Sequence, residues 1–213
     1  DFNPGTGTTN LISNGNSDSF IWKLSNDGNL IHASNFGSVA NDFVTSIDVD
    51  DNAYLYISGY FVMTCDFDLG NGTQTLNAGN TNYDGYLYKI DSAFAFQWAK
   101  QIDGSTANIM THDIIADANG DVIATGRLQG SADFDPGTGT LTLASSNIKE
   151  FILKLDSNGD LICAMQLEST GSAEGTSITL DNNSHILTAG AFSGTVDFNA
   201  AASVSFSASS LLP

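Results

Sequence analysis

The chain has 213 residues, with 6 Lys and Arg against 24 Asp and Glu, so its formal net charge at pH 7 is −18. Nucleic acids and anionic membrane surfaces attract clustered positive charge, and this balance argues against both as partners. The sequence contains no run of 18 apolar residues, so we expect no membrane insertion. Most aspartates stand beside Gly or Asn, where carboxylates commonly cap backbone N–H groups in turns.

An Asp-Phe-Asp/Asn motif opens the chain and recurs every 64 to 67 residues. We call the segment that begins with this motif the Asp-Phe link. Its copies begin at Asp1, Asp66, Asp133 and Asp197. Two further patterns keep the same spacing: an aromatic residue three positions before a Lys, and an Asp nine positions before a Gly. One repeat domain is therefore predicted, with units at 1–65, 66–132 and 133–196 and the start of a fourth at 197–213.

Short runs rich in Val, Ile, Phe, Tyr and Thr, bounded by Asn, Asp and Gly, predict an all-β chain. A strand at 20–24 and a turn at 25–29 come first, and the same pair of elements recurs in each later unit. The clearest stretch predicts four strands, at 113–117, 122–126, 150–155 and 161–167. Asn-Gly turns at 117–121 and 156–160 join them into two hairpins, because both residues tolerate positive φ. The Asp-Phe link between the hairpins is expected to add a short outer strand.

Four antiparallel strands repeated radially describe a propeller blade, whereas a solenoid would need a shorter period and a parallel ladder. The expected fold is therefore all-β, with antiparallel four-stranded units arranged as part of a β-propeller. A closed propeller usually needs at least four blades. We expect the chain to be part of a longer polypeptide; completion by another copy is the alternative.

Three segments carry a family resemblance. Residues 18–24 read Asp-Ser-Phe-Ile-Trp-Lys-Leu, residues 84–90 read Asp-Gly-Tyr-Leu-Tyr-Lys-Ile, and 49–59 form an Asp-rich hairpin that ends in Gly. These stretches resemble the SBBP-type β-propeller repeats of secreted and surface bacterial proteins. The resemblance implies a propeller in an extracellular or cell-surface protein and identifies architecture only. The units here are longer than that family's usual blade, and the extra length lies in the Asp-Phe link.

Each Asp-Phe link places two oxygen-bearing side chains on the same side of an extended segment. Hard cations such as Ca²⁺ bind clustered oxygens of this kind. The candidate calcium ligands are Asp66, Asp68, Asp133 and Asp135. In the alternative interpretation, the first Asp caps a turn, the Phe anchors the link in the core and Pro-Gly makes a tight turn.

Other chemistry-bearing residues form no recognisable catalytic set. The three His residues occupy different positions in their units, and no Gly-x-Ser-x-Gly elbow occurs. Cys65 and Cys163 also differ in position, so we expect two free thiols, with a single bridge between them as the alternative. Three equivalent lysines are expected to form structural ion pairs with the abundant Asp: Lys23, Lys89 and Lys154.

These observations predict a non-catalytic structural, scaffold or adhesive module of a secreted or cell-surface bacterial repeat protein. One alternative is a glycan- or protein-binding propeller module, and another is a non-catalytic part of a larger propeller enzyme. Expected partners are proteins, glycans, or further repeats of the same or another copy.

Overall fold

The computed structural model describes residues 1–79, 82–104 and 106–199. Within these ranges the chain is all-β, as predicted, and its sheets are antiparallel. The strands in chain order are β1 (Ser19–Leu24), β2 (Leu30–Phe36), β3 (Phe43–Val49), β4 (Leu55–Phe61), β5 (Thr64–Asp66), β6 (Thr75–Asn77), β7 (Asp84–Ile90), β8 (Phe96–Ile102), β9 (Asn108–Ala116), β10 (Val122–Asp133), β11 (Thr142–Leu155), β12 (Leu161–Gln166), β13 (Glu168–Ser169), β14 (Ala173–Leu180), β15 (Ile186–Phe192) and β16 (Val196–Asp197).

Two four-stranded sheets follow the order of the chain. The first sheet is β3-β4-β7-β8 and the second sheet is β9-β10-β11-β12. A two-stranded sheet precedes them, the N-terminal hairpin β1-β2, and another follows, the C-terminal hairpin β14-β15. The short pairs β5-β6 and β13-β16 complete the described strands.

Repeated irregularities in register show which part of a full sheet each hairpin represents. β1-β2 shifts register after Lys23, as β7-β8 does after Lys89 and β11-β12 after Lys154. β14-β15 shifts just after Gly175, as β3-β4 does after Val44. The N-terminal hairpin therefore corresponds to the second half of a sheet, and the C-terminal hairpin corresponds to the first half.

Neighbouring sheets pack face to face through apolar side chains. One core cluster lies between the N-terminal hairpin and the first sheet, and it includes Ile21, Phe36, Ile57 and Tyr88. The other joins the first and second sheets, where β9 packs against β3 and β4. The C-terminal hairpin packs on the second sheet, where β14 contacts β9, β10 and β11. The central strands β4 and β7 are almost fully buried because sheets cover both of their faces.

A glycine on the second strand of each four-stranded sheet, and of the C-terminal hairpin, allows close contact with the first strand. A Cβ on Gly59 would lie 1.9 Å from the carbonyl oxygen of Phe43, and one on Gly126 would lie 2.0 Å from that of Met110. Gly190 has the same relation to Glu174, at 2.0 Å. The Asp-to-Gly repeat in the sequence therefore marks a position where only glycine fits.

The hairpin turn at 117–121 forms where it was predicted. The N–H of Asp117 donates to the carbonyl of Asp121 over 2.8 Å, the N–H of Gly120 donates to the carbonyl of Asp117 over 2.9 Å, and Gly120 has a φ of +79°. Asn119 is not in the positive-φ region, so only the Gly of the pair uses the left-handed conformation that both residues tolerate. One left-handed residue is enough because three residues connect Asp117 and Asp121, and a loop of this length needs positive φ only at its last position.

The strands are also longer than the sequence indicates. The predicted strands at 122–126 and 150–155 are parts of the longer strands β10 and β11. Residues Gly130 to Asp133 of β10 continue to pair with β11 beyond the predicted strand. The Asp-Phe link lies at the tip of this central pair, and β5-β6 form the equivalent pair in the unit before. The expected outer strand in the link is thus an extension of the central hairpin. The described sheets are not closed into a ring.

Candidate functional site

The Asp-Phe links bring the four candidate calcium ligands into two loops of the same geometry. In one, Oδ1 of Asp66 accepts the N–H groups of Asp68 (3.0 Å) and Gln74 (2.8 Å). In the other, Oδ1 of Asp133 accepts those of Asp135 (3.0 Å) and Leu141 (2.8 Å). The first Asp of the motif therefore ties together the two ends of its loop.

The second Asp of each motif caps the tip of the same loop. Oδ1 of Asp68 accepts the N–H of Gly70 at 2.7 Å, and Oδ1 of Asp135 accepts that of Gly137 at 2.8 Å. The carboxylate also lies against a second glycine, since a Cβ on Gly72 would lie 2.0 Å from Oδ2 of Asp68. These contacts match the turn interpretation of the motif.

The link carboxylates do not form a multidentate metal cluster in the part of the chain that the structure describes. No group of three or more His, Cys, Asp and Glu side chains there could hold a metal ion. The Oδ2 atoms of Asp66, Asp68, Asp133 and Asp135 accept no hydrogen bond from described residues. These four oxygens, two in each loop, are the carboxylate atoms of the candidate ligands that could coordinate a cation.

The phenylalanine of the motif anchors the link in the core. Phe67 and Phe134 are fully buried. The ring of Phe67 lies 5.0 Å from that of Tyr86 and 5.7 Å from that of Phe61, so it joins the second and third strands of its sheet. Phe198, in the last link, is 72% exposed. Within the described residues up to 199, no third strand pairs with β15 to cover this ring.

The three equivalent lysines have different partners. Nζ of Lys154 lies 3.2 Å from Asp117 and 3.1 Å from Asp121, which confirms the expected ion pair at this position. Lys89 instead packs over the ring of Tyr54, with Nζ 4.4 Å from the centroid, and burial lowers its pKa. Lys23 forms no ion pair within the described residues. The sequence pattern identified the position but not these differences.

An open cleft of about 410 Å³ surrounds Lys89 and Trp98. Nε1 of Trp98 donates to the carbonyl of Ser157 at 3.1 Å, and Nζ of Lys89 donates to the same oxygen at 3.2 Å. The cleft is also lined by Tyr54, Gln97 and Asn158. Aromatic rings beside amide groups can bind a sugar or a peptide side chain.

A second cleft contains two carboxylates that the sequence analysis missed. It is lined by Asp18, Asp42 and Ser19 together with apolar neighbours. Asp42 is 2% exposed, its Oδ2 accepts the N–H of Ser38 at 2.6 Å, and burial raises its pKa. Comparison of the repeats could have identified Asp42 from the sequence, because the equivalent positions in later units hold the apolar residues Ile109 and Ala173.

The cysteines are free thiols, as expected. Cys65 is buried and Cys163 is partly buried, and desolvation raises the pKa of both. A raised pKa reduces the thiolate fraction, which is the reactive form. Neither thiol has the environment of a catalytic nucleophile.

Comparison with known proteins does not identify a family. No family model matches the sequence, and no curated protein matches it either. The resemblance to SBBP-type repeats therefore stays a prediction. Among the described residues, no helix is long and apolar enough to cross a membrane.

Proposed function

We propose that the chain is a non-catalytic structural or adhesive module of a secreted or cell-surface bacterial repeat protein, in which its sheets are propeller blades. One observation carries this proposal. The described residues contain two complete four-stranded antiparallel sheets with the same strand order and equivalent register shifts, so the chain is built from repeated units. Repeated four-stranded antiparallel units are the construction of a propeller.

The order of the sheets supports blades as the building unit. Strands within each complete sheet are neighbours in the chain, and successive sheets stack through their first strands. Propeller blades have this four-stranded antiparallel form, and radial repetition leaves only short edges. The sequence resemblance to SBBP-type repeats is the reason for placing the protein outside the cell.

An antibody raised against the chain provides a test of the location. We expect it to label intact cells of the source bacterium or to detect the protein in the medium. Labelling only after permeabilisation would contradict secretion. Turnover of a substrate in a hydrolase and lyase screen would contradict a non-catalytic role. The control is a variant in which Asp42 is replaced, and the turnover should be lost in it.

Calcium binding at the Asp-Phe links is a separate part of the proposal. The unoccupied Oδ2 atoms of Asp66, Asp68, Asp133 and Asp135 would supply carboxylate ligands, and backbone carbonyls or water would supply the rest. Chelation by EDTA should then lower the melting temperature, and added Ca²⁺ should restore it. An unchanged melting curve would leave turn capping as the role of these residues.

A glycan- or protein-binding role is the second candidate, favoured by the cleft at Trp98. Binding on a glycan array that disappears in Trp98→Ala but persists in Trp22→Ala would support it. Trp22 is the matched control because it lies on the N-terminal hairpin and does not line this cleft.

A further inference from the structure

Three aromatic side chains of the first sheet interrupt the repeat at one place. Where the first sheet has Tyr54, Tyr56 and Trp98, the equivalent positions of the second sheet hold Asp121, Ile123 and Cys163. Tyr54 and Trp98 line the open cleft at Lys89, and the ring of Tyr56 lies 4.9 Å from Nζ of Lys89. Residues shared by the two sheets maintain their common fold, so differences that meet in one cleft point to a role beyond folding.

The hydroxyl of Tyr56 engages the carboxylate that pairs with lysine in the second sheet. There, Oδ2 of Asp117 lies 3.2 Å from Nζ of Lys154. Asp50 is the equivalent of Asp117, and its Oδ2 instead accepts the hydroxyl of Tyr56 at 3.1 Å. Its Oδ1 accepts the N–H groups of two turn residues, as in the second sheet. Each oxygen of Asp50 is therefore already engaged within the protein.

Lys89 is consequently a covered cation without a carboxylate partner. It is 8% exposed and forms no ion pair with any described residue, whereas Lys154 also pairs with Asp121. Tyr54 occupies the position of that second carboxylate, and its ring centroid lies 4.4 Å from Nζ of Lys89. The ammonium donates to the carbonyl of Ser157 and has two further protons. Burying a charge is unfavourable unless it is paired, so a carboxylate supplied by a ligand would stabilise this site.

The rest of the cleft suits a sugar ring. Half-buried Trp98 is held on one side, because its Nε1 donates to the carbonyl of Ser157 and a Cβ on Gly159 would lie 3.2 Å from its Cδ2. Gln97 and Asn158 line the same space, whose volume of about 410 Å³ falls in the usual range for ligand pockets. Amide side chains both donate to and accept from hydroxyl groups, and an indole ring provides a flat apolar surface.

We propose that this cleft binds a glycan through one uronic acid residue, with the sugar ring against Trp98 and its carboxylate on Lys89. The carboxylate would supply the charge that Asp121 supplies in the second sheet. Hydroxyl groups of the sugar would bond to Gln97 and Asn158. This inference rests on the glycan-binding role proposed above as the second candidate function, and it names the class of ligand.

The acidic surroundings limit the ligand to an isolated carboxylate. Lys89 experiences the charges of Asp50 and Asp156, and the chain as a whole carries a net charge of −18. Screening at physiological ionic strength weakens interactions between exposed charges more than about 8 Å apart. A polyanion, however, would bring further carboxylates close to the acidic turns. We therefore expect the ligand to be a neutral glycan that carries a single uronic acid.

An array of paired oligosaccharides tests the role of the carboxylate. Each pair consists of a glycan with one uronic acid and the same compound with that carboxyl group reduced to an alcohol. Calorimetric titration then measures the strongest pair. We expect the acid to bind about tenfold more tightly than its reduced form, because it alone can pair with Lys89. Equal binding of both forms would overturn the inference, and so would an acidic peptide that binds as tightly as the best acidic glycan.

Tyr54→Asp tests the site with a change that restores the arrangement of the second sheet. An Asp at this position would pair with Lys89 as Asp121 pairs with Lys154, so we expect the preference for the acidic form to be lost in a folded protein. Lys89→Met should remove the same preference. Lys154→Met is the matched control and should keep it, because Lys154 does not line this cleft. A preference that survives in both Tyr54→Asp and Lys89→Met would overturn Lys89 as the contact.

Trp98→Ala separates this inference from the function on which it rests. Binding that is equal for both forms and lost in Trp98→Ala would keep the glycan-binding role and overturn the uronic acid. Binding of no glycan at all would contradict both. Acid-selective binding that is lost in Trp98→Ala and loses its selectivity in Tyr54→Asp would support both.

Discussion

The carboxyl of Asp84 should make the stability of the protein depend on pH. Asp84 begins β7, is 1% exposed, and accepts a hydrogen bond from Nε2 of Gln101 at 2.6 Å. Burial raises the pKa of this group from 3.8 to about 7, with a smaller contribution from the nearby charge of Asp103, while the Gln101 hydrogen bond acts in the opposite direction. The perturbation is Asp84→Asn, which keeps the shape of the side chain and an acceptor for Gln101.

The sign of the effect follows from proton binding. Between pH 3.8 and about 7 the folded state binds this proton and the unfolded state does not, so the stability contributed by the protonated group falls as pH rises. One pKa unit corresponds to about 1.4 kcal/mol, which sets an upper value of roughly 4 kcal/mol for the full shift. Asn cannot ionise, so the variant should lose this dependence and be more stable than the native chain at pH 8.

Urea unfolding at several pH values between 4 and 8 measures the effect. We expect the difference in free energy of unfolding between Asp84→Asn and the native chain to be small near pH 4. It should then grow to a few kcal/mol, about 4 at most, by pH 8. A difference that does not change with pH would refute the argument that Asp84 is neutral in the folded protein near pH 6. Other titrating groups are common to both proteins and cancel in the comparison.

The remaining predictions concern the turns and the links. Ala53 occupies the left-handed turn position at φ +61°, so Ala53→Gly should raise the free energy of unfolding by about 1 kcal/mol. The matched Gly120→Ala should lower the free energy of unfolding by about 1 kcal/mol or more. Both changes are measured by denaturant unfolding, and effects of the same sign would contradict the prediction. Phe134→Ala should cost about 3 to 5 kcal/mol because Phe134 is fully buried. Phe198→Ala should cost under about 1 kcal/mol, and equal losses in the midpoint of unfolding would contradict the difference in burial.

The repeat was the strongest predictive signal in the sequence. The spacing of the Asp-Phe link and of the turns gave four strands per unit, because Asp, Asn and Gly at fixed positions limit where a strand can begin or end. The predicted start of the strand at 122 agrees with β10. Its end lies seven residues beyond the predicted one, at Asp133, since pairing with β11 resumes at Gly130 after a register shift that local sequence does not reveal.

The candidate site was less accessible to sequence reasoning. The spacing of Asp66 and Asp68 was visible, yet it cannot show that each Oδ1 is occupied by backbone N–H groups. Asp42 stands where other units have apolar residues, and its burial depends on contacts made across neighbouring sheets. The prediction for 197–213 is only partly covered, because residues 200–213 lie outside the described residues.

Hydrogen exchange tests the central claim most directly, namely that the chain repeats a four-stranded antiparallel unit whose second and third strands are its most protected part. Among the described residues, β4 and β10 are hydrogen-bonded on both sides, and β7 and β11 are their partners. We predict that the amides of these four strands exchange slowly and at similar rates in both sheets, while those of the outer strands β3, β8 and β12 exchange faster. Faster exchange in β4 or β10 than in the outer strands would contradict the claim.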